Sequence, residues 1–189
     1  MLSSVECLDT ESGQWIQVAN MSTPRAYLGV AVLRGKLYAV GGEDSQDNVL
    51  SSVECLDLRS GQWSAVAPMT TTRNCLGVAT LEGKLYAVGG EDTNDNRLSS
   101  VECLDPDVGV WVEVAPMGTA RDTMGTATLD GKMYAVGGHD ANDHRLSSVE
   151  CLDPSTGLWT DVAPMSSARA NLGVAVLEGR HGRTWDTYT

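Results

Sequence analysis

The chain has 189 residues, 42% of them hydrophobic, and a formal net charge of −12 at pH 7. This length and composition allow a folded globular core, while the negative charge disfavours nucleic acid and membranes as partners, because both require a positive protein surface. The sequence has no apolar run of about 18 residues and no signal-peptide pattern after Met1, so we expect a cytoplasmic protein.

One phrase, SSVECLD, recurs at a constant interval of 48 residues. Its four copies occupy residues 3–9, 51–57, 99–105 and 147–153. A period of this size is typical of propellers, solenoids and arrays, in which each repeat is one supersecondary unit that packs against its neighbours. The repeat therefore predicts the fold class before any single segment is considered.

One complete unit, residues 73–117, contains four short runs with the composition of β-strands. In chain order these runs are CLGVATL (75–81), GKLYAVGG (83–90), LSSVECLD (98–105) and GVWVEVA (109–115). The connectors are rich in residues that set turns, and no segment has the periodicity of a helix. Four antiparallel strands in each repeat predict an all-β propeller with one blade per repeat.

The blade pattern divides the chain into six segments. In chain order these are the last two strands of a partial blade (1–18), three complete four-stranded blades (19–66, 67–114 and 115–162), the first strand of another partial blade (163–178) and a divergent tail (179–189). Two arrangements fit this pattern: a piece of a larger propeller, or a four-bladed ring whose terminal strands share one closing blade. Open blade edges would favour self-association.

Several residues recur in every unit and are expected to build the scaffold. Paired glycines allow positive φ, tryptophan fills the gap between blades, and arginine anchors a loop through carbonyls or a carboxylate such as Glu54 or Glu102. These scaffold residues are Gly41, Gly42, Gly89, Gly90, Gly137, Gly138, Trp15, Trp63, Trp111, Trp159, Arg25, Arg73, Arg121 and Arg169. The recurring cysteines, Cys7, Cys55, Cys103 and Cys151, are expected to be buried and reduced.

Each unit reads as a double glycine after a β-rich run, an acidic loop, SSVECLD, Gly-x-Trp, and an arginine four residues after a methionine. This order resembles the Kelch repeat over residues 2–178. The resemblance is strongest to the propellers of BTB-Kelch proteins, the substrate-recruiting adaptors of cullin-type ubiquitin ligases. Leucine replaces the tyrosine that the family commonly has in ECLD, and no BTB or BACK segment is present, so only the receptor half of an adaptor is expected here.

Variation between the units is concentrated in the loop after the double glycine, and loops on a rigid scaffold often carry recognition. The resemblance implies that this rim captures a peptide or protein partner. The positions implied are the residue after Gly-Gly, the residue before Leu-Ser-Ser and the two residues after the recurring arginine. On this sequence the implied partner-binding residues are Tyr27, Glu43, Val49, Asn74, Cys75, Glu91, Arg97, Asp122, Thr123, His139, Arg145 and Asn171.

No catalytic motif of the hydrolase, P-loop, zincin or dinucleotide-binding type is present, and we expect no cofactor. We also expect no metal site, because DTNDN (92–96) lacks the glycine and glutamate of a calcium loop, and a cluster of histidine and aspartate occurs in one loop alone. The sequence thus predicts a non-enzymatic, protein-binding module. The alternatives are an actin-associating or structural Kelch protein and, third, a sugar-active Kelch-like enzyme.

Overall fold

The computed structural model describes residues 1–177, which consist of short strands joined by turns. In chain order the strands are β1 (Val5–Asp9), β2 (Gln14–Val18), β3 (Gly29–Leu33), β4 (Lys36–Val40), β5 (Val53–Asp57), β6 (Gln62–Val66), β7 (Gly77–Leu81), β8 (Lys84–Val88), β9 (Val101–Asp105), β10 (Val110–Val114), β11 (Gly125–Leu129), β12 (Lys132–Val136), β13 (Val149–Asp153) and β14 (Leu158–Val162). Each of the four runs predicted in residues 73–117 contains one of the strands β7 to β10.

The strands pair antiparallel with their sequence neighbours. They form an N-terminal hairpin, β1–β2, and three four-stranded sheets, β3–β6, β7–β10 and β11–β14, which we call blades 1, 2 and 3. The predicted all-β propeller, with three complete blades and partial strands at the ends, is therefore confirmed. Residues 1–177 contain no helix, and so no helical segment that could span a bilayer.

The middle strands of a blade are buried on both faces. In β9, Val101, Glu102, Cys103 and Leu104 are at most 4% exposed. Because successive side chains of a strand point to opposite faces, blade 2 must be covered on both sides. Its Trp111 lies in the hydrophobic core shared with blade 1. The core is thus divided among the interfaces between blades.

The innermost strands of adjacent blades approach closely at a glycine. A Cβ atom on Gly77 would overlap the methyl group of Thr126 in the next blade. Thr126 also donates its hydroxyl to the carbonyl of Val78 at 3.1 Å, and Thr128 donates to Thr80 at 2.8 Å. Gly29 and Gly125 face Val78 and Val174 in the same way. The recurring glycine therefore sets the spacing of blades near the axis.

Three of the recurring tryptophans link their blade to the preceding unit. The indole N–H groups donate to backbone carbonyls, Trp63 to Ala19 at 2.8 Å, Trp111 to Ala67 at 2.9 Å and Trp159 to Ala115 at 3.1 Å. Trp15, in the N-terminal hairpin, is 66% exposed. Its exposure follows from its place in the arc, because no described blade precedes the hairpin.

The prediction that all four recurring cysteines are buried is wrong for Cys7. Cys55, Cys103 and Cys151 are buried in complete blades, whereas Cys7 is exposed in a hairpin that has no inner strands. All cysteines in the described residues are free. At the other end, Leu172 packs in the core of blade 3. The strand that the repeat would pair with residues 171–177, and the predicted tail 179–189, lie outside the described residues.

Replacing Gly77 by Ala is expected to lower the free energy of unfolding by about 1 to 3 kcal/mol, because the new methyl group overlaps Thr126. Thr126→Ser removes the methyl group that is hit and keeps the hydroxyl that donates to Val78. The double variant should therefore lose less than the two single variants together in a urea-denaturation cycle. Additive losses would contradict this account of the blade spacing.

Candidate partner-binding rim

A buried arginine organises the loops at one rim of each blade. The Arg73 side chain is inaccessible to solvent and donates to the Gly89 carbonyl at 2.8 Å and to the Ser100 carbonyl at 3.0 Å. It also forms an ion pair with Glu102 at 3.2 Å. Glu102 accepts the backbone N–H of Thr70 at 2.7 Å, so one arginine and one glutamate join three segments of chain.

The same pair occurs in all three blades. The ion pairs are Arg25–Glu54 at 3.0 Å, Arg73–Glu102 at 3.2 Å and Arg121–Glu150 at 2.8 Å. Burial lowers the pKa of Arg73. Burial alone would raise the pKa of Glu102, but the hydrogen bonds from Thr70 and the charge of Arg73 outweigh it and leave that pKa below its usual value. Both groups are therefore charged at neutral pH.

The double glycine brings the loop of one blade against the next blade. Gly89 and Gly90 have φ values of +56° and +92°, which favour glycine. The N–H of Gly90 donates to the carbonyl of Arg121 at 3.0 Å, and a Cβ atom on Gly90 would overlap the carbonyl of Asn74. The glycines thus let the rim loops pack on one another with backbone contacts.

The residues predicted at the rim form a short ladder of isolated bridges in each blade. The residue after Gly-Gly lies between the residue after the arginine and the residue before Leu-Ser-Ser. The ladders are Ala26–Glu43–Val49, Asn74–Glu91–Arg97 and Asp122–His139–Arg145. Of the predicted partner-binding residues, eight therefore occupy equivalent places in three neighbouring ladders.

The other four predicted residues form a backbone chain that crosses from blade to blade. Cys75 donates its N–H to the carbonyl of Tyr27 at 2.8 Å, Thr123 donates to Cys75 at 2.8 Å, and Asn171 donates to Thr123 at 2.9 Å. All four have φ values between +49° and +55°. This left-handed conformation is uncommon for non-glycine residues, and strain of this kind is concentrated at functional sites.

The rim concentrates negative charge around Cys75. Burial, with the charges of Asp122, Glu91 and Glu43, raises the pKa of the Cys75 thiol to about 11. Burial and the neighbouring Asp122 carboxylate also raise the pKa of Glu91. The carboxylates thus come close enough to disfavour one another. Such a site is prepared for a cationic group, since opposite charge would relieve the repulsion.

Asn74 has an unsatisfied acceptor beside these carboxylates. Its amide N–H donates to Glu43 at 3.2 Å, but its buried Oδ1 atom has no hydrogen-bond partner within residues 1–177. An unpaired buried polar atom costs free energy, and a donor from a bound ligand would recover it. The sequence identified Asn74 as a rim position but carried no signal of this vacancy.

Arg97 connects the loops of blades 2 and 3. Its Nε atom lies 3.4 Å from Asp122, its Nη2 atom pairs with Asp143, and the side chain is 17% exposed. The exposed Arg145 has no ion pair within residues 1–177. The two rim arginines therefore differ: one holds loops together, and the other is free to meet a partner.

The two histidines of the last loop have separate partners. His139 lies 3.0 Å from the Thr123 hydroxyl, and His144 lies 3.4 Å from Asp140. Asp140 in turn accepts the backbone N–H of Asn142 at 2.8 Å, so this carboxylate shapes its own turn. In the part of the chain that the structure describes, no three potential metal ligands come together.

A row of four-stranded blades with recurring loop ladders at one rim defines a repeat protein of the β-propeller class. The family model of the KLHDC2/KLHL20/DRC7 Kelch-repeats domain matches residues 1–181. The chain therefore belongs to the Kelch-repeat family.

Known relatives match short segments of the chain. Kelch-like protein 28 of Homo sapiens is 46% identical over 44 residues, which are 23% of this chain and 8% of the relative. The influenza virus NS1A-binding protein homolog of Mus musculus is 45% identical over 49 residues, 26% of this chain and 8% of the relative. Kelch-like protein 3 of Mus musculus is 46% identical over 41 residues, 22% of this chain and 7% of the relative. Each match covers less than a tenth of the relative's length.

A solved structure resembles a larger part of the chain. The structure of YjhT matches with a TM-score of 0.81 and 18% sequence identity, over 92% of this chain and 64% of that chain. At this identity the likeness concerns the fold alone. The chain spans less than two thirds of the structure that it resembles.

Replacing Glu102 by Gln is expected to destabilise the chain by about 3 kcal/mol at pH 7, because Arg73 would remain buried without its counter-charge. The depressed pKa of Glu102 stabilises the fold above the unfolded value near 4.5, and this contribution is lost as the pH falls through the folded pKa. The difference between wild type and variant in urea denaturation should therefore shrink below pH 4.5. The exposed Glu113→Gln is the control, and an equal difference at all pH values would contradict the assignment.

Glu91→Gln should have the opposite effect on stability. A raised folded pKa means that ionisation of Glu91 weakens the fold, a penalty absent at low pH and fully present at pH 7. Removing the charge should raise the free energy of unfolding at pH 7 by a few tenths of a kcal/mol. The same denaturation assay tests this prediction, which fails if the variant is less stable than wild type.

Proposed function

We propose that this chain is a non-catalytic binding module whose rim receives a peptide segment of a protein partner. A lysine or arginine of that segment contacts the carboxylates of Glu43, Glu91 and Asp122. The single observation that carries this proposal is the cluster of mutually repelling carboxylates around Cys75, in which the pKa of Glu91 is raised. A bound cation supplies the charge that this cluster lacks.

The hydrogen-bonding groups of the rim fit the same occupant. The buried Oδ1 atom of Asn74 requires a donor, and a lysine ammonium, an arginine guanidinium or a peptide N–H provides one. Tyr27, 62% exposed at the first position of the backbone chain, offers an aromatic face to the aliphatic part of such a side chain. The partner segment therefore combines a positive charge with an extended backbone.

The scaffold favours recognition because it holds the loops before a partner arrives. The buried arginine and glutamate of each blade, together with the glycine contacts, fix the ladder residues in place. Binding to such preorganised loops loses less conformational entropy than binding to mobile ones. The same rigidity lets the rim sequence vary from blade to blade without changing the fold.

The cellular role that we propose is the receptor portion of a ubiquitin-ligase adaptor, with the bound segment belonging to the protein that the ligase modifies. Support comes from the resemblance of the repeat to the propellers of BTB-Kelch adaptors and from relatives named Kelch-like protein 28 and Kelch-like protein 3. The rim described above provides the recognition surface that this role requires.

Peptide binding tests the rim directly. In fluorescence polarisation, a labelled peptide pool with lysine fixed at its centre should bind at least about tenfold more tightly than a matched pool with glutamate, and less tightly as salt increases. Glu91→Gln and Asp122→Asn should each abolish most of this preference, whereas Glu113→Gln, on the outermost strand of blade 2, should retain it. Equal binding of both pools would contradict the proposed chemistry.

A pull-down from cell lysate tests whether the rim captures proteins. Charge reversal of the rim arginines, Arg97→Glu with Arg145→Glu, should remove proteins that the wild-type chain and the Glu113→Gln control retain. Unchanged capture would contradict the rim assignment. Co-sedimentation with actin filaments that is insensitive to all rim variants would instead support a cytoskeletal role.

A further inference from the structure

An apolar groove lies on the outer face of blade 3. It has a volume of about 380 Å³, and Val136, Val149, Val162 and Met165 contribute to its lining. One repeat earlier, the equivalent residues Val88, Val101, Val114 and Met117 pack against Leu152 and Trp159 of blade 3. The groove is therefore the socket of a blade interface that the described residues leave open.

The opposite end of the arc exposes the residues that fill such a socket. In the N-terminal hairpin, Leu8 and Trp15 are 43% and 66% exposed, whereas the equivalent Leu104 and Trp111 are at most 5% exposed. On the innermost strand of blade 1, Val30 is 50% exposed, although its equivalent Val78 packs against the glycine of the preceding blade.

The two ends also carry the separated halves of the buried ion pair. Arg169 occupies the position of Arg25, Arg73 and Arg121, and Glu6 occupies the position of Glu54, Glu102 and Glu150. Within residues 1–177, neither the Arg169 guanidinium nor the exposed Glu6 carboxylate has an ion-pair partner. One end thus offers a cation and the other end offers its anion.

Backbone and glycine positions complete the match. The carbonyl of Ala163 lines the groove at the position where Ala19, Ala67 and Ala115 accept an indole N–H. A Cβ atom on Gly173 would meet nothing within 4 Å, whereas Gly29, Gly77 and Gly125 each face a side chain of the next blade. Apolar surface, charge, hydrogen bonding and glycine spacing therefore all place one unfilled interface at the two ends.

We propose that a second copy of this chain fills the interface, head to tail. The N-terminal hairpin of one copy then joins residues 171–177 of the other to form a shared blade, with Trp15 on Ala163, Glu6 beside Arg169, and Val30 against Gly173. The same chain does not serve as its own partner, because its hairpin lies beside blade 1 through the bridge of Leu2 and Arg25, with Trp15 exposed.

Two such junctions close a dimer. Each copy supplies three complete blades and half of each of two shared blades, so two copies complete eight blades, within the range of about 4 to 8 found in propellers. A head-to-tail contact produces a closed ring where its rotation closes, and here each ring member buries the same interface that already recurs within the chain. This assembly does not rest on the proposed binding of a peptide at the rim.

Light scattering behind a sizing column tests the assembly with the full chain. At tens of micromolar we expect twice the chain mass of 20.1 kDa. Arg169→Glu alone places two glutamates at each junction, and Glu6→Arg alone places two arginines there, so each variant should weaken the dimer by about a hundredfold or more. Glu11→Arg, in the exposed turn of the same hairpin, and Arg59→Glu, in an exposed turn of blade 1, are matched controls that should remain dimeric.

Mixing the two charge variants gives the decisive result. An equimolar mixture contains one native junction and one with the charges exchanged, so the dimer should return, which no defect within either chain could produce. Trp15→Ala removes a side chain that is mostly exposed within one chain, so it should weaken the dimer without harming the fold. A monomeric wild type, a dimer that persists in both charge variants, or a mixture that stays monomeric would overturn the proposal.

Discussion

The buried pair of arginine and glutamate is the interaction on which the other features of each blade depend. Arg73 and Glu102 lie beneath the rim, where a bare charge of either sign would be costly, and each is stable only because the other and several backbone groups surround it. Since the arginine follows one blade and the glutamate belongs to the next strand pair, the pair couples the connection between units to the sheet. Loop, sheet and blade order are fixed together.

This coupling separates two kinds of position along the sequence. Residues that serve the pair, the glycine contacts or the indole contacts are the same in each blade, because the geometry that they satisfy is the same. The ladder residues have their backbone held by bridges but their side chains released from packing duties. The three ladders therefore present different chemistry, from Glu43 to His139, on one backbone. A propeller of this kind can acquire a new binding surface without a new core.

Much of the fold could be predicted from the sequence, because the period of 48 residues and the composition of each run are local signals. The strands of blade 2 appear where the pattern of residues 73–117 predicts them. The exposure of Cys7 could not be predicted from the repeat, since burial depends on which neighbours surround a strand and not on the strand itself.

The rim positions could be named from the family resemblance, but their electrostatics could not. Glu91 and Asp122 are 31 residues apart and come from different blades, so the repulsion between them depends on how the blades pack. The same holds for Arg97, whose partners Asp122 and Asp143 belong to the following blade. A sequence lists the charges of a site, whereas the distances among them arise from tertiary structure.

The identity of β1, β5, β9 and β13, which all read VECLD, has a consequence for how the chain folds. Strand β8 reaches its native partner β9 across 12 intervening residues and the identical β13 across 60. Side chains cannot distinguish these partners, so early pairing is governed by the entropy of closing the loop, which favours the nearer strand by only about 1.4 kcal/mol. Roughly one in ten first encounters is thus out of place, and fidelity depends on the order in which blades emerge during synthesis.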